Sequence, residues 1–386
     1  MRYLYVFFLP LILFSGNIKE KQLKELLLQQ EKSFLESERH KTDWIAPLML
    51  ESEYYKSNIN DQDSDELKSI GLSLSQDIYR SGGLGYENEQ AELEKGLGKK
   101  IFKTKLQQMN ITIYEYVLNL KVIDLKLKQL SFSIENKKIE ILSKQARYNK
   151  GLIDISELDT SMLERSNLKN EIEALEIEKL SYIKALKSLS RKPYISIKLR
   201  PFTLLSRQEF LERNAVHIQK YELEHKKLSK KILDSSYLPR VSVVANYKYE
   251  KSKYKNYTRN DNTNWNMGFN ISMPIDYNEG KTKEIAQKDL MLAETKYHNR
   301  LEDESIFYTF ILEEVKLLKN RIRHHKKAIS TYDNLIKEVN ELYINGLRTK
   351  EDLITLKNTK KSKMQDILID RINIQMSYLK LMKRIY

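Results

Sequence analysis

A duplication of half the chain constrains this fold more than any single residue does. Around Gly151 the sequence reads Arg147-Tyr148-Asn149-Lys150-Gly151-Leu152, and around Gly346 it reads Leu342-Tyr343-Ile344-Asn345-Gly346-Leu347. The glycines lie 195 positions apart (346 − 151). Upstream of the first, Leu106, Met109, Ile113, Tyr116, Leu120, Ile123, Leu127, Leu130 and Ile134 are spaced alternately by three and four, the coiled-coil pattern. Upstream of the second, Val315, Leu318, Ile322, His325, Ile329, Tyr332, Ile336, Val339 and Tyr343 form a second seam. Shifted back by the same offset, Val315 falls on Leu120, Leu318 on Ile123, Ile322 on Leu127 and Tyr343 on Tyr148. The heptads of the two halves are therefore in register, and the repeat is structural.

Each seam implies one long helix. The first pattern runs from about 85 to 149, and at ~1.5 Å per residue it extends about 100 Å. No single globular domain houses such a helix, so it must pack lengthwise against others. Gly151 and Gly346 stand where a helix C-cap needs a positive φ, and the helices that follow complete two αα-hairpins. Composition agrees: 386 residues hold only 11 Gly and 6 Pro, while 31% are charged. The absence of cysteine excludes disulfides, thiolate metal sites, cysteine nucleophiles and a lipid-modified N-terminal cysteine.

The N-terminus has the layout of a secretory signal peptide over residues 1–16. Met1-Arg2 is basic, Tyr3 to Phe14 is apolar, and Ser15-Gly16 is small. The first repeat then covers 17–190, an extended linker 191–205, and the second repeat 206–386. No run of eighteen apolar residues follows position 17, which leaves a soluble, peripheral or β-barrel protein. The net charge of +14 raises nucleic acid as a partner. Lys and Glu alternate along the helical stretches, however, which reads as a solvated basic surface and not a nucleic-acid site.

Four strands are expected, near 44–56, 67–79, 238–250 and 264–276, with polar loops over Asn58–Asp63 and Lys253–Asn262. The fourth alternates most cleanly: Trp265, Met267, Phe269, Ile271 and Met273 on one face, Asn266, Gly268, Asn270 and Ser272 on the other. The third sets Val241, Val243, Ala245, Tyr247 and Tyr249 against Ser242, Val244, Asn246 and Lys248. The second sets Ile70, Leu72 and Leu74 against Gly71, Ser73 and Ser75, and the first, with Leu48, Leu50, Ser52 and Tyr54, is weaker. Such faces suit a soluble amphipathic sheet or a lipid-facing band. Aromatic Trp265, Tyr247 and Tyr249, placed at strand ends, and the small uncharged opposite faces favour lipid. Four strands cannot close a barrel, so strands in a membrane require several chains to share one.

The fold class is thus mainly α with a small β part, ordered helix, two strands, long helix, helix, and then repeated. That order resembles the TolC-like outer-membrane efflux proteins. The two Gly turns, Tyr237-Leu238-Pro239 before the third strand, and Ser272-Met273-Pro274-Ile275 with Asn278-Glu279-Gly280 after the fourth carry the likeness, which covers nearly all of the mature chain. The resemblance implies a homotrimer: a twelve-stranded β-barrel in outer-membrane lipid above a periplasmic α-helical tunnel. It implies a passive exit duct for tripartite efflux or type I secretion, with a periplasmic adaptor and an inner-membrane pump as partners.

The resemblance also places functional residues. Tyr343 and Arg348 match the family's gating tyrosine and arginine, Ser156 and Glu157 their polar and acidic partners, and Asp352 an acidic position at the constriction. Thr355 stands where a second acid would strengthen that ring. Gly151, Leu152, Gly346 and Leu347 form the hairpin tips that meet the adaptor. Taken alone, Glu157 and Asp352 also suit helix starts, where the dipole favours acids.

Catalytic and cofactor chemistry has no carrier in the sequence. The six histidines, His40, His217, His225, His298, His324 and His325, form neither HExxH nor a two-His-plus-carboxylate spacing, and no nucleophile elbow, Walker A or dinucleotide fingerprint is present. Neither an enzyme, a metal site nor a cofactor is expected. The alternative from another class is an exported coiled-coil scaffold without a pore.

Overall fold

The computed structural model describes residues 18–59, 62–213, 216–254 and 257–385, so the expected signal peptide lies outside the described residues. In chain order the elements are α1 (Glu20–Thr42), β1 (Met49–Ile59), β2 (Gln62–Tyr79), α2 (Gly83–Asn149), α3 (Ile155–Leu189), α4 (Arg207–Arg213), α5 (Val216–Ser236), β3 (Arg240–Tyr254), β4 (Tyr257–Ser272), α6 (Glu279–Ile344) and α7 (Lys350–Ile385). The helix, strand pair, long helix, helix order therefore occurs twice. None of the described helices is long and apolar enough to cross a membrane.

Two compact units cut across the sequence repeats. Among the described residues, one gathers 18–27, 103–213 and 301–385; the other gathers those within Leu28–Phe102 and Val216–Arg300. In the first unit the heptad seams are buried in the part far from the glycines, and the second seam ends on exposed Tyr343. Leu120 and Val315, paired by the repeat, are 0% and 3% exposed, and Ile123 and Leu318 are likewise buried. A second face of α2, Ile111 and Leu118, packs with Leu379 of α7. Phe210 of α4 joins Tyr308, Ile311 and Val315 of α6 and Leu381 and Ile385 of α7 in another cluster. Removing a Leu, Ile or Phe side chain of this kind from water contributes about 1.5–3 kcal/mol.

The linker differs from expectation. The alternation Tyr194-Ile195-Ser196-Ile197 reads as extended, yet Tyr194–Ser196 form a 3-10 turn after Pro193. Two anchors explain it: Ile197 is buried, and the Tyr194 hydroxyl donates to Asp124 Oδ2 at 3.0 Å. After the linker, α4 and α5 are helical on either side of residues 214–215, which lie outside the described residues. Ser206 and Glu209 form a capping box at the start of α4: Glu209 N–H donates to Ser206 Oγ, and Ser206 N–H to Glu209 Oε2, both at 3.2 Å.

The second unit contains one antiparallel sheet in the order β1-β2-β3-β4. Its strands run further into the polar stretches than alternation indicates: most of Asn58–Asp63 and Lys253–Asn262 is strand, not loop. Cross-strand pairing, such as Lys251 opposite Asp261, continues there without a core to bury. Tyr247, Tyr249 and Trp265 consequently sit mid-strand and not at strand ends, while Leu48 and Met273 fall outside the strands.

Candidate functional site

The two Gly turns are built by the same bonds. In the first, Leu152 N–H donates to Arg147 O at 2.9 Å and Gly151 N–H to Tyr148 O at 2.8 Å. In the second, Leu347 N–H donates to Leu342 O at 2.8 Å and Gly346 N–H to Tyr343 O at 3.0 Å. This is the Schellman arrangement twice. It needs φ of +67° at Gly151 and +75° at Gly346, where a Cβ would meet nothing within 4 Å, so backbone conformation alone selects glycine. Leu152 and Leu347, just past the glycines, are exposed.

The helices leaving the turns start differently. At α3, Asp154 is the N-cap and accepts from Ser156 N–H at 3.2 Å. At α7, Thr349 and Asp352 cap each other: Asp352 N–H donates to Thr349 Oγ1 at 3.2 Å and Thr349 N–H to Asp352 Oδ2 at 3.1 Å. Asp352 therefore has a helix-start task, and Asp154 is a cap that the family pattern leaves unnamed. Its signal in the sequence is an Asp just before an apolar-periodic stretch. Tyr343, Arg348, Ser156 and Glu157 are exposed. Among the described residues no hydrogen bond or ion pair engages the Arg348 guanidinium, the Tyr343 hydroxyl or the Glu157 carboxylate.

Behind the turns lie two polar clusters. In the first hairpin, Glu140 of α2 accepts from Lys137 at 2.5 Å and from Ser161 Oγ of α3 at 3.0 Å, and pairs with Lys144 at 3.0 Å. Burial pushes the Glu140 carboxyl up, but these partners outweigh it and hold it down to about 2. In the second hairpin, the Asp370 side chain of α7 is 0% exposed. Arg321 of α6 lies 2.8 Å from Oδ1, outside hydrogen-bonding direction, and His325 Nε2 lies 3.5 Å from Oδ2. Burial raises the Asp370 carboxyl, with Arg321 and His325 opposing.

Side-chain amides tie the first hairpin to the second. Gln129 Nε2 donates to Asp366 Oδ1 at 2.7 Å, Asn136 Nδ2 to Thr355 O at 3.3 Å, and Asn358 Nδ2 to Asn136 Oδ1 at 3.0 Å.

Histidines remote in sequence also meet. Glu94 of α2 bridges His40 Nδ1 of α1 at 2.7 Å and His225 Nε2 of α5 at 3.2 Å. No spacing rule finds this trio, because each member comes from a different helix. Neither this trio nor any other group of three His, Asp or Glu among the described residues is arranged to hold a metal ion.

The sheet presents one apolar face in register. Leu50, Leu72, Tyr247 and Trp265 form one row; Leu74, Ala245 and Met267 the next; Gln76, Val243 and Phe269 another. Trp265 and Phe269 are 75% and 76% exposed, and Met267 and Ile271 are similarly open, whereas Tyr249 is half-buried. The opposite face is polar: small around Ser73, Asn246 and Asn266, where Asn246 Nδ2 donates to Asn266 Oδ1 at 2.9 Å, but charged and not uncharged further along, at Glu51, Glu53, Lys248 and Glu250. β1 and β4 each have one unpaired edge in the chain.

The architecture is shared with CusC, whose transmembrane channel formation has been described: TM-score 0.76 at 13% identity, covering 94% of this chain and 88% of that chain. It is shared with the outer membrane protein VceC of Vibrio cholerae at TM-score 0.74 and 14% identity, covering 95% and 93%. The CmeC outer membrane channel of Campylobacter jejuni gives TM-score 0.74 at 14% identity, covering 98% and 85%. The fold is TolC-like. Neither a family model nor a curated protein matches the sequence. At such identity the likeness speaks for the TolC-like fold and not for any one side chain.

Proposed function

We propose that three copies of this chain form an outer-membrane exit duct, each giving four strands to a twelve-stranded barrel, with the helices lining a periplasmic tunnel. One observation carries the reading: a four-stranded sheet of this fold with a continuous, exposed apolar face and two unpaired edges. In lipid the face is satisfied, but the edges must find strands, and copies of the same sheet supply them. In water the same surface would be an aggregation site.

The duct acts passively, in tripartite efflux or type I secretion, with an adaptor and an inner-membrane pump supplying direction and energy. Tyr343, Arg348, Ser156 and Glu157 form the gate between neighbouring hairpins. All four are exposed, and among the described residues the side-chain polar groups of Tyr343, Arg348 and Glu157 engage no partner within one chain, which suits contacts made between chains. An Arg–carboxylate pair in a wet pore is charge-assisted yet cheap to break. Asp352 joins them less directly, since its carboxylate caps α7. Gly151, Leu152, Gly346 and Leu347 give the tips an apolar point for the adaptor.

Cell fractionation and unheated electrophoresis in mild detergent test the duct. A trimer in the outer-membrane fraction is expected, whereas a detergent-independent soluble monomer overturns the reading in favour of a scaffold. For the gate, Arg348→Ser should raise single-channel conductance in planar bilayers. Unchanged conductance would remove Arg348 from the gate.

A further inference from the structure

We propose that the outward face of the sheet carries a binding site for phosphorylated lipid headgroups, formed by Lys56, Lys68, Lys251 and Lys253 just beyond the apolar band. The proposal rests on the membrane reading above. The strand register assembles the site. Tyr54, Lys68, Lys251 and Asp261 stand in one cross-strand row, and Lys56, Glu66 and Lys253 in the next. Both rows lie an even number of residues from Leu50, Leu72, Tyr247 and Trp265, so they share the apolar face. The Tyr54 row lies one pleat, about 7 Å along the strand, beyond the row of Ile70 and Tyr249.

Charge is sorted by face at this level. The outward rows hold four lysines against Glu66 and Asp261. The opposite face holds Glu53 and Glu250 next to these rows, with Glu51 and Lys248 one pleat nearer the helices, and the Lys248 ammonium lies 3.5 Å from both Glu53 and Glu250. A strand end that met only water would have no reason to separate lysines from glutamates in this way. On the outward face the partners are loose: Lys56 and Glu66 are 3.9 Å apart, and Lys68 lies over the Tyr54 ring at 5.3 Å. At the opposite end of the same face, Gln76, Tyr79, Val241, Val243, Phe269 and Ile271 bring no charge at all.

The end of the sheet is fixed by connectivity. The lysines flank the local β1–β2 and β3–β4 connections, while the helices attach at the other end. With the helices in the periplasm, the lysines face the outer leaflet. A lysine beside hydrocarbon keeps its ammonium in the headgroup layer, and a dense anion there turns that constraint into attraction. A phosphate ester on a lipid headgroup supplies the anion, and the apolar band takes up its acyl chains. The site thus commits to an anchored lipid.

The full chain, reconstituted in phosphatidylcholine vesicles with diphosphoryl or monophosphoryl lipid A, tests this by the lipid A retained per protein after exchange into excess phosphatidylcholine. Wild type should retain the diphosphoryl form over the monophosphoryl. The K56Q/K68Q/K253Q variant should still float with vesicles but lose retention, by roughly fivefold per lysine removed. Lys248→Gln, on the opposite face, should retain lipid as wild type does. Equal retention by the triple variant, or no lipid A preference in wild type, overturns the site. If the triple variant fails to assemble, Lys68→Gln and Lys253→Gln alone decide, each expected to lose about fivefold. Failure of wild type to float at all overturns the membrane reading itself, an outcome distinct from floating without preference.

Discussion

The two hairpins share a backbone and oppose each other in electrostatics. Both turn on a Schellman glycine with near-equal φ and the same pair of hydrogen bonds. Behind the first turn, however, Glu140 is a carboxylate held down by two lysines and a serine. In the second hairpin, Asp370 is a carboxylate pushed up by burial beside Arg321 and His325. Duplication has kept what the turn geometry requires, while the two carboxylates are not repeat partners: the 195-residue offset sets Leu335 on Glu140 and Leu175 on Asp370.

The signs differ accordingly. Glu140 has a folded pKa below its ordinary 4.5, so its contribution is present above that value and fades as pH falls toward about 2. Asp370 has a folded pKa above its ordinary 3.8, so the folded state binds the extra proton and stability falls as pH rises through the raised value. Acid therefore loosens the first hairpin and relieves the second.

The glycines give the sharpest way to break the shared part of this comparison. Gly151→Val and Gly346→Val should each cost about 1–3 kcal/mol, and by nearly equal amounts, because only φ is at stake. Thermal melting of the helical signal reads this, and unequal losses would mean that something besides backbone distinguishes the turns. The caps come next. Asp154→Ala and Thr349→Ala should each cost about 1 kcal/mol, since each removes one side-chain acceptor, and the double variant Thr349→Ala/Asp352→Ala, which removes both halves of the box, should cost more. Equal melting of the Thr349→Ala and double variants would count against the box. The electrostatic difference is the smallest effect and the most diagnostic. Glu140, being partly exposed and screened, should lose no more than about 1 kcal/mol on Glu140→Gln at pH 7. Asp370→Asn should raise the melting midpoint at pH 8, with the gain shrinking as pH falls. A loss at pH 8 would show that the Arg321 contact outweighs the burial of the charge.

Much of this was legible in the residues because periodicity records burial. Leu120 with Val315 and Ile123 with Leu318 could be paired on paper, and the structure buries all four. The alternating strands likewise gave the correct faces, since Trp265, Met267, Phe269 and Ile271 share one. Strand ends were not legible, because polar residues at Lys251–Lys253 and Asp261–Asn262 pair across strands without leaving a burial pattern. The His40–Glu94–His225 trio and the Asp370 cluster were illegible for another reason. Each joins side chains from different helices, and no local spacing encodes how helices meet. Tyr194–Ser196 misled because alternation beside a proline fits a tight turn as well as a strand.

The pairing of β2 with β3 has a consequence in time. Leu72 pairs with Tyr247, 175 residues further on (247 − 72), whereas β1–β2 and β3–β4 are local hairpins. Local hairpins close in microseconds, but the contact between them waits for the second half of the chain to arrive. A nascent chain therefore spends an interval carrying a two-stranded fragment, which on its own is marginally stable. The rate at which the second half of the chain follows the first, more than the stability of the finished sheet, then sets how long that fragment is open to wrong partners.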